Sequence, residues 1–229
     1  MLIILAAPSD KSAAWLVERW QSHDAVLASA ADLSTSGWSL YSASSESKAC
    51  IGGRKVRNEE IKGVLTRISC VQSHDLSHIV PSDREYVASE MTAFLLAWLS
   101  NLTCPVLNRP VPGCLGGPAL RPEGWTYLAA RLGIPVTPVR RKTHDRPFVP
   151  DNLSTCELIV IGQACFGDAS PKLIENARLL ARAAGTNLLA VRFTGPDSDS
   201  TFANANPWPD LASSQLADAA LNYMSVSAC

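Results

Sequence analysis

Leu2 to Ala7 is an unbroken apolar run that Pro8-Ser9-Asp10 ends at once. It is too short to cross a bilayer, and no polar residue alternates within it. A strand of this kind is buried on both faces, so helices must cover the sheet above and below. A helix does follow in the pattern: Ser9, Asp10 or Ser12 can cap it, and Ala14, Leu16, Val17 and Trp20 keep helical spacing. Strand, polar turn and helix form the opening half of a βαβ unit. With no basic residues ahead of the run, and Asp10 and Lys11 directly behind it, a secretory signal is not expected.

The alternation continues along the chain. Residues 25–29 read as a strand, Trp38 to Tyr41 and Lys48 to Val56 as short strands turning at Gly52-Gly53, and Gly63 to Ile68 as another buried strand. Ser69 to Ser82 is polar and turn-like, and Ser82 or Asp83 is placed to cap a helix from Arg84 to Leu102. The run Ala93 to Leu99 makes that helix apolar nearly all round, which suits a core sandwich or an interface. A strand from Pro105 closes at Asn108-Arg109-Pro110. The Pro- and Gly-rich stretch 110–124 then marks a domain boundary, dividing the chain into 1–112 and 113–229. Beyond it come a helix Pro122–Leu132 stopped by Gly133, a strand Pro135–Val139, and a basic linker Arg140–Asn152. A strand Glu157–Ile161, a helix Pro171–Ala184 stopped by Gly185, and strands 188–193 and 200–204 precede a closing helix, Ser213–Met224.

Composition removes several classes of function. With 20 basic and 21 acidic side chains the net charge is −1, which lacks the basic face a nucleic-acid binder needs. No wholly apolar window is long enough to span a membrane. The seven cysteines (50, 70, 104, 114, 156, 165 and 229) show neither CxxC nor paired zinc spacing, so free thiols in a reducing, cytoplasmic setting are expected. No GxSxG elbow is present.

Other motifs have plainer readings beside their chemical ones. Cys70, His74 and His78 stand at i, i+4 and i+8, which on a helix would line one face with zinc ligands. Ser73, Asp75, Ser77 and Pro81 make the segment a loop and no fourth ligand is evident, so no metal site is expected. Gly116-Gly117 before a helix would suit a phosphate cradle, but the spacing matches neither GxGxxG nor GxxxxGK[ST], and a domain junction is the better reading. Arg140-Arg141-Lys142 with His144 and Arg146 reads as a solvated linker, with an anion or a carboxylate-rich peptide as its alternative ligand.

Several segments follow one another in order: Asn108-Arg109-Pro110, then Arg121-Pro122 opening a helix that runs into Ala130-Arg131-Leu132-Gly133-Ile134-Pro135-Val136-Thr137-Pro138, then Leu158-Ile159-Val160-Ile161-Gly162, then Leu179 to Gly185 and Leu188 to Phe193, and finally FANANPWPD from Phe202 to Asp210. Together they resemble the ATP-grasp superfamily, closest to its peptide-maturation and ribosomal-protein glutamate ligase branch. The resemblance implies an α/β fold: a Rossmann-like pre-ATP-grasp domain followed by the ATP-grasp large lobe. It also implies carboxylate–amine ligation through an acyl phosphate, with lysines of a smaller lobe on the phosphates and large-lobe carboxylates on magnesium. The chain departs from that pattern. The segment between Pro138 and Glu157 is too short for the smaller lobe, and beyond residue 115 the only lysines are Lys142 and Lys172. The glutamate of the family's E-x-N metal motif falls at Asn204, with Asn206 kept, and the acidic residue of the preceding strand falls near Arg192.

The expectation is therefore a reduced, non-catalytic ATP-grasp-like chain that needs no cofactor. It is expected to act as a binding or partner subunit in a homo- or hetero-oligomer, or on a peptide or protein. One alternative is a minimal ligase taking ATP and magnesium, with Arg109, Arg121, Asn206 and Asp210 as its machinery. The other is a small-molecule sensor at the carboxyl ends of the first-domain strands, near Ser9–Ser12 and Arg67. Across these readings the candidate binding residues are Ser9, Asp10, Arg67, Asn108, Arg109 and Arg121.

Overall fold

The computed structural model describes residues 1–33, 36–41, 46–137 and 155–226. The basic cluster at 140–146 and Cys229 lie outside them, as does the predicted strand beyond Thr137. The chain forms two compact units, Met1–Pro118 with Asp210–Cys229, and Ala119–Pro209. The division thus falls after Pro118 rather than after residue 112, and the closing segment belongs to the first unit, not the second.

In the first unit β1 (Leu2–Leu5) begins the chain, followed by α1 (Lys11–Arg19), β2 (Ala25–Ala28) and the single turn α2 (Ala30–Leu33). The antiparallel pair β3 (Lys48–Ile51) and β4 (Arg54–Arg57) turns at Gly52-Gly53. Then come β5 (Gly63–Thr66), α3 (Arg84–Asn101) and β6 (Val106–Leu107). The four-stranded sheet is parallel, in the order β2-β1-β5-β6. Ile3 stands opposite Val64, which stands opposite Val106, and this row packs with Leu95, Trp98 and Leu99 of α3. Trp98 donates its indole N–H to Asn58 Oδ1 at 3.0 Å, and Trp38 meets both Phe94 and Trp98 edge-on. The apolar run is covered in part, by the sheet core and by Trp38 against Phe94. Leu95, Trp98 and Leu99 are buried and Phe94 and Leu96 half-buried, leaving only Ala93 and Ala97 of the 93–99 run exposed. Asp83, expected to cap α3, instead accepts the Ser82 hydroxyl at 2.8 Å.

The second unit contains α4 (Pro122–Arg131), β7 (Cys156–Ile161), β8 (Ala164–Phe166), α5 (Pro171–Ala184), β9 (Leu188–Phe193) and β10 (Phe202–Asn206). Its sheet is antiparallel, in the order β10-β9-β7-β8. Of the predicted strand at 135–139, the described residues 135–137 carry one parallel bridge, Val136 to Phe202. The last strand begins at Phe202 rather than Ser200, and β8 was not anticipated. The core lies between the sheet and α4 and α5, with Leu158, Val160, Leu189, Val191 and Phe193 inward. Ser170 caps α5 and Gly185 closes it in the left-handed conformation at φ 67°.

The closing helix α6 (Ser214–Val226) returns to the first unit. Ser12 donates to Asp210 at 2.7 Å, and Arg19 of α1 holds both Asp218 oxygens at 2.9 and 3.0 Å. Gly63 of β5 gives Met224 its place, because a Cβ on residue 63 would come within 2.8 Å of Met224 Cβ. Gly63→Ala should therefore destabilise the chain by about 1–3 kcal/mol through overpacking. Met224→Ala alone should cost about 2–5 kcal/mol by leaving a cavity. In a double-mutant cycle by chemical denaturation the pair should be less damaging than the sum, and strict additivity would show that α6 does not rest on β5.

Candidate functional site

In a strand, side chains alternate between faces, and directly opposed residues on neighbouring strands share one. Glu157 of β7 stands opposite Arg192 of β9, and Arg192 opposite Asn204 of β10, so three polar residues form one row across the sheet. The next row is Ile159, Ala190 and Asn206. Both lie on the face away from α4 and α5. Asn204 reaches that face through a β-bulge. Phe202 pairs with Phe193 and is buried, and Ala205 is buried three residues later. An odd spacing cannot keep both inward in a regular strand, so one extra residue, Ala203, interrupts the register.

The rows form one wall of a cavity of about 300 Å³ within the second unit. Leu120, Pro122, Trp125, Pro207 and Trp208 give it apolar sides. Across the polar row, Arg192 donates from Nε to Glu157 Oε2 at 2.6 Å, with both side chains partly exposed. Asn206 is folded onto its own turn, accepting from Trp208 N at 3.0 Å and donating to Trp208 O at 3.1 Å. The Trp208 indole N–H is buried and has no acceptor among the described residues.

The residues singled out from the sequence are scattered. Arg109 donates to the carbonyls of Leu102 and Cys104 at 3.1 and 3.0 Å, bracing the approach to β6. Asp210 accepts from Ser12 and from Ala212 N, and belongs to the first unit. Arg121 is the exposed residue before α4, and Ser9 lies exposed in the turn after β1. Asn108 is buried against Gly117, whose φ of 92° and absent Cβ permit that approach. Gly116 and Gly117 are buried in packing and offer no open phosphate cradle. Asp10, at the head of α1, accepts from Ala13 N at 3.0 Å and from Arg67 Nε at 2.7 Å.

Cys70, His74 and His78 do not share a helix face, since the segment carries only a single 3₁₀ turn, Ser73–Asp75. Cys70 Sγ accepts from Gln72 and His74 lies 3.6 Å from Asp75. Among the described residues, no group of three or more His, Cys, Asp or Glu side chains is placed to hold a metal ion. Burial pushes the Cys104 thiol up to about 11 and raises Cys114, Cys156 and Cys165 as well, so these sulfurs are poor nucleophiles at neutral pH. No helix among the described residues is long and apolar enough to cross a membrane.

Sequence reasoning noticed Arg192 as a reversal of charge but missed its partner Glu157 and the tryptophan wall. A signal was present: each residue is a lone charge in an otherwise apolar strand. Which two strands pair, and in what register, was not readable.

No protein-family model and no curated protein matches the sequence. Solved structures do match in fold. The macrocyclase MdnC of Microcystis aeruginosa MRC, bound with precursor peptide MdnA, gives a TM-score of 0.68 at 11% identity, covering 99% of this chain and 100% of that one. The ATP-grasp ligase PsnB, complexed with a minimal precursor, gives 0.68 at 11% identity over 97% and 98%. A RiPP-associated ATP-grasp ligase of Chryseobacterium gregarium, in complex with ADP and a leader and core peptide, gives 0.60 at 8% identity over 99% and 95%. The chain thus has the ATP-grasp ligase fold that its motifs implied.

The Asp10–Arg67 contact yields a pH test. Burial alone would raise the Asp10 carboxyl, but hydrogen bonds from Arg67 and from the α1 backbone outweigh it and hold the pKa below the ordinary value. The stabilisation is present above the unfolded carboxyl's pKa of about 3.9 and is lost as pH falls through the lower folded value. Asn also caps helices, so Asp10→Asn isolates the charge. The variant should melt a few degrees below the parent at neutral pH, and the gap should close in acid. A gap independent of pH would remove Arg67 from the account.

Proposed function

We propose that this chain of ATP-grasp fold is a non-catalytic binding subunit that engages a peptide or protein partner through the cavity of its second unit. The Arg192–Glu157 pair is the observation that carries this reading. Magnesium seeks hard anionic oxygen, mostly carboxylates together with substrate phosphates. The row where the family resemblance puts those carboxylates holds one glutamate, an amide and a guanidinium. The glutamate is bonded to the guanidinium at 2.6 Å. A fixed positive charge on the only carboxylate among the described lining residues repels a cation, so the donor set does not fit magnesium.

Other features agree. The amide of Asn206 is closed onto Trp208, and Lys142 and Lys172 are the only lysines after residue 115. By its length the sequence between Pro138 and Glu157 does not accommodate the smaller nucleotide-clamping lobe. The minimal-ligase alternative would need Arg109 and Asp210, which hold carbonyls and a hydroxyl of their own chain. The sensor alternative would need Arg67, which Asp10 engages. A peptide partner is in keeping with the structural neighbours, which were solved with precursor or with leader and core peptides.

Thermal unfolding with and without millimolar Mg–ATP tests the non-catalytic half. A ligand at a hundred times its Kd adds about 2.7 kcal/mol and raises the midpoint by several degrees. No magnesium-dependent shift and no phosphate release are expected, and either one would overturn the reading. Panning a random peptide display library against the full chain tests the other half. Saturable binders are expected, and their absence would count against a peptide partner.

A further inference from the structure

The cavity wall places both signs of charge at one point. The 2.6 Å bond engages one N–H of Arg192 and one oxygen of Glu157. The Nη groups of Arg192 and Glu157 Oε1 take no part in that bond, and the side chains keep 57% and 39% of their exposure. A phosphate approaching Arg192 meets the glutamate, and a cation approaching Glu157 meets the guanidinium. The site as a whole is neutral, and it rewards a ligand that is itself neutral but carries an acceptor and a donor side by side.

An extended peptide residue has that form. Its own N–H and C=O leave the same edge of the backbone, as they do when strands exchange paired hydrogen bonds. Building on the peptide-partner reading above, we infer that the cavity reads one extended, uncharged residue of that partner. The residue's C=O accepts from Arg192, its N–H donates to Glu157 Oε1, and its apolar side chain rests against Leu120, Pro207 and Trp208. The exposed amide of Asn204 continues the polar row and can take the next backbone group. A cavity of about 300 Å³ accommodates such a residue. It lies at the lower limit of small-ligand sites.

N-acetyl-L-leucinamide is the probe, titrated into the ¹⁵N-labelled full chain. The indole N–H of Trp208 and the Nε–H of Arg192 are the reporters. Both resonances should move saturably at tens of millimolar probe, and neither should do so with inorganic phosphate or magnesium chloride. Saturable movement with either ion, or none with the probe, overturns the inference. Arg192→Ala and Glu157→Ala change partly exposed side chains, and their spectra report directly whether the fold is kept. Each should weaken the probe several-fold, whereas unchanged affinity in both would refute the assignment. Display-selected peptides separate the two levels. If they bind parent and both variants equally well, the residue-level inference falls and the peptide-partner reading stands. If the probe binds the cavity but no peptide is ever selected, the partner reading falls instead.

Discussion

Arg192 projects from an inner strand of an antiparallel sheet, and Glu157 accepts from it at 2.6 Å from the neighbouring strand. Partly exposed pairs of this kind contribute only about 0–1 kcal/mol to stability, so the fold does not hinge on it. What hinges on it is the electrostatic character of the cavity. With Arg192 present, Glu157 ceases to be a free hard ligand, and with Glu157 present, Arg192 ceases to be a plain anion receptor. In the proposed reading, two of the commonest uses of such a cavity, holding a divalent cation and holding phosphate, are disfavoured together by this one contact.

The same row depends on how β10 reconciles two demands. Phe202 must stay inward on Phe193, and Ala205 must stay inward on α4 and α5. Strand periodicity allows only even spacings on one face, so Ala203 is extruded and Asn204 and Asn206 are turned outward. Core packing thus decides the surface chemistry: a regular strand keeping Phe202 inward would have turned Asn204 into an apolar interior, where an unpaired amide is costly.

Local signals were legible where one residue suffices to give them. A cap for α1 among Ser9, Asp10 and Ser12 (the structure uses Asp10), Gly52-Gly53 at the β3–β4 turn and Gly185 closing α5 are each decided by backbone chemistry within a few residues. Among the first-unit strands, β1 and β5 were legible because burial on both faces leaves them almost wholly apolar. β8 escaped because three residues after Gly162 carry too little pattern, although the positive φ of that glycine marks the turn before them. The home of α6 escaped for a different reason. An apolar helix face looks the same whichever core it covers, and the deciding contacts (Ser12 with Asp210, Arg19 with Asp218, Gly63 under Met224) join positions about 160–200 residues apart. The cavity was legible only by halves, since Arg192 is conspicuous in sequence but its pairing with Glu157 is a matter of register.

The fate of the other polar candidates sharpens the argument for that cavity. A group that awaits a ligand must be held near its working position without being satisfied by its own chain. Arg109 brackets two carbonyls, Asp210 holds a serine and a backbone amide, Asn206 closes a turn, and Asp10 joins a helix start to Arg67. These are contacts that fix a fold, and diverting any of them to a ligand would first require breaking one. Glu157 and Arg192 keep part of each group's capacity outside their mutual bond, and they do so in the wall of the cavity. The residual donors and acceptor lie beside tryptophan and proline walls, on a rigid sheet. This pair brings unused valence and apolar surroundings to a single point, and in the proposed reading that is why recognition is placed there.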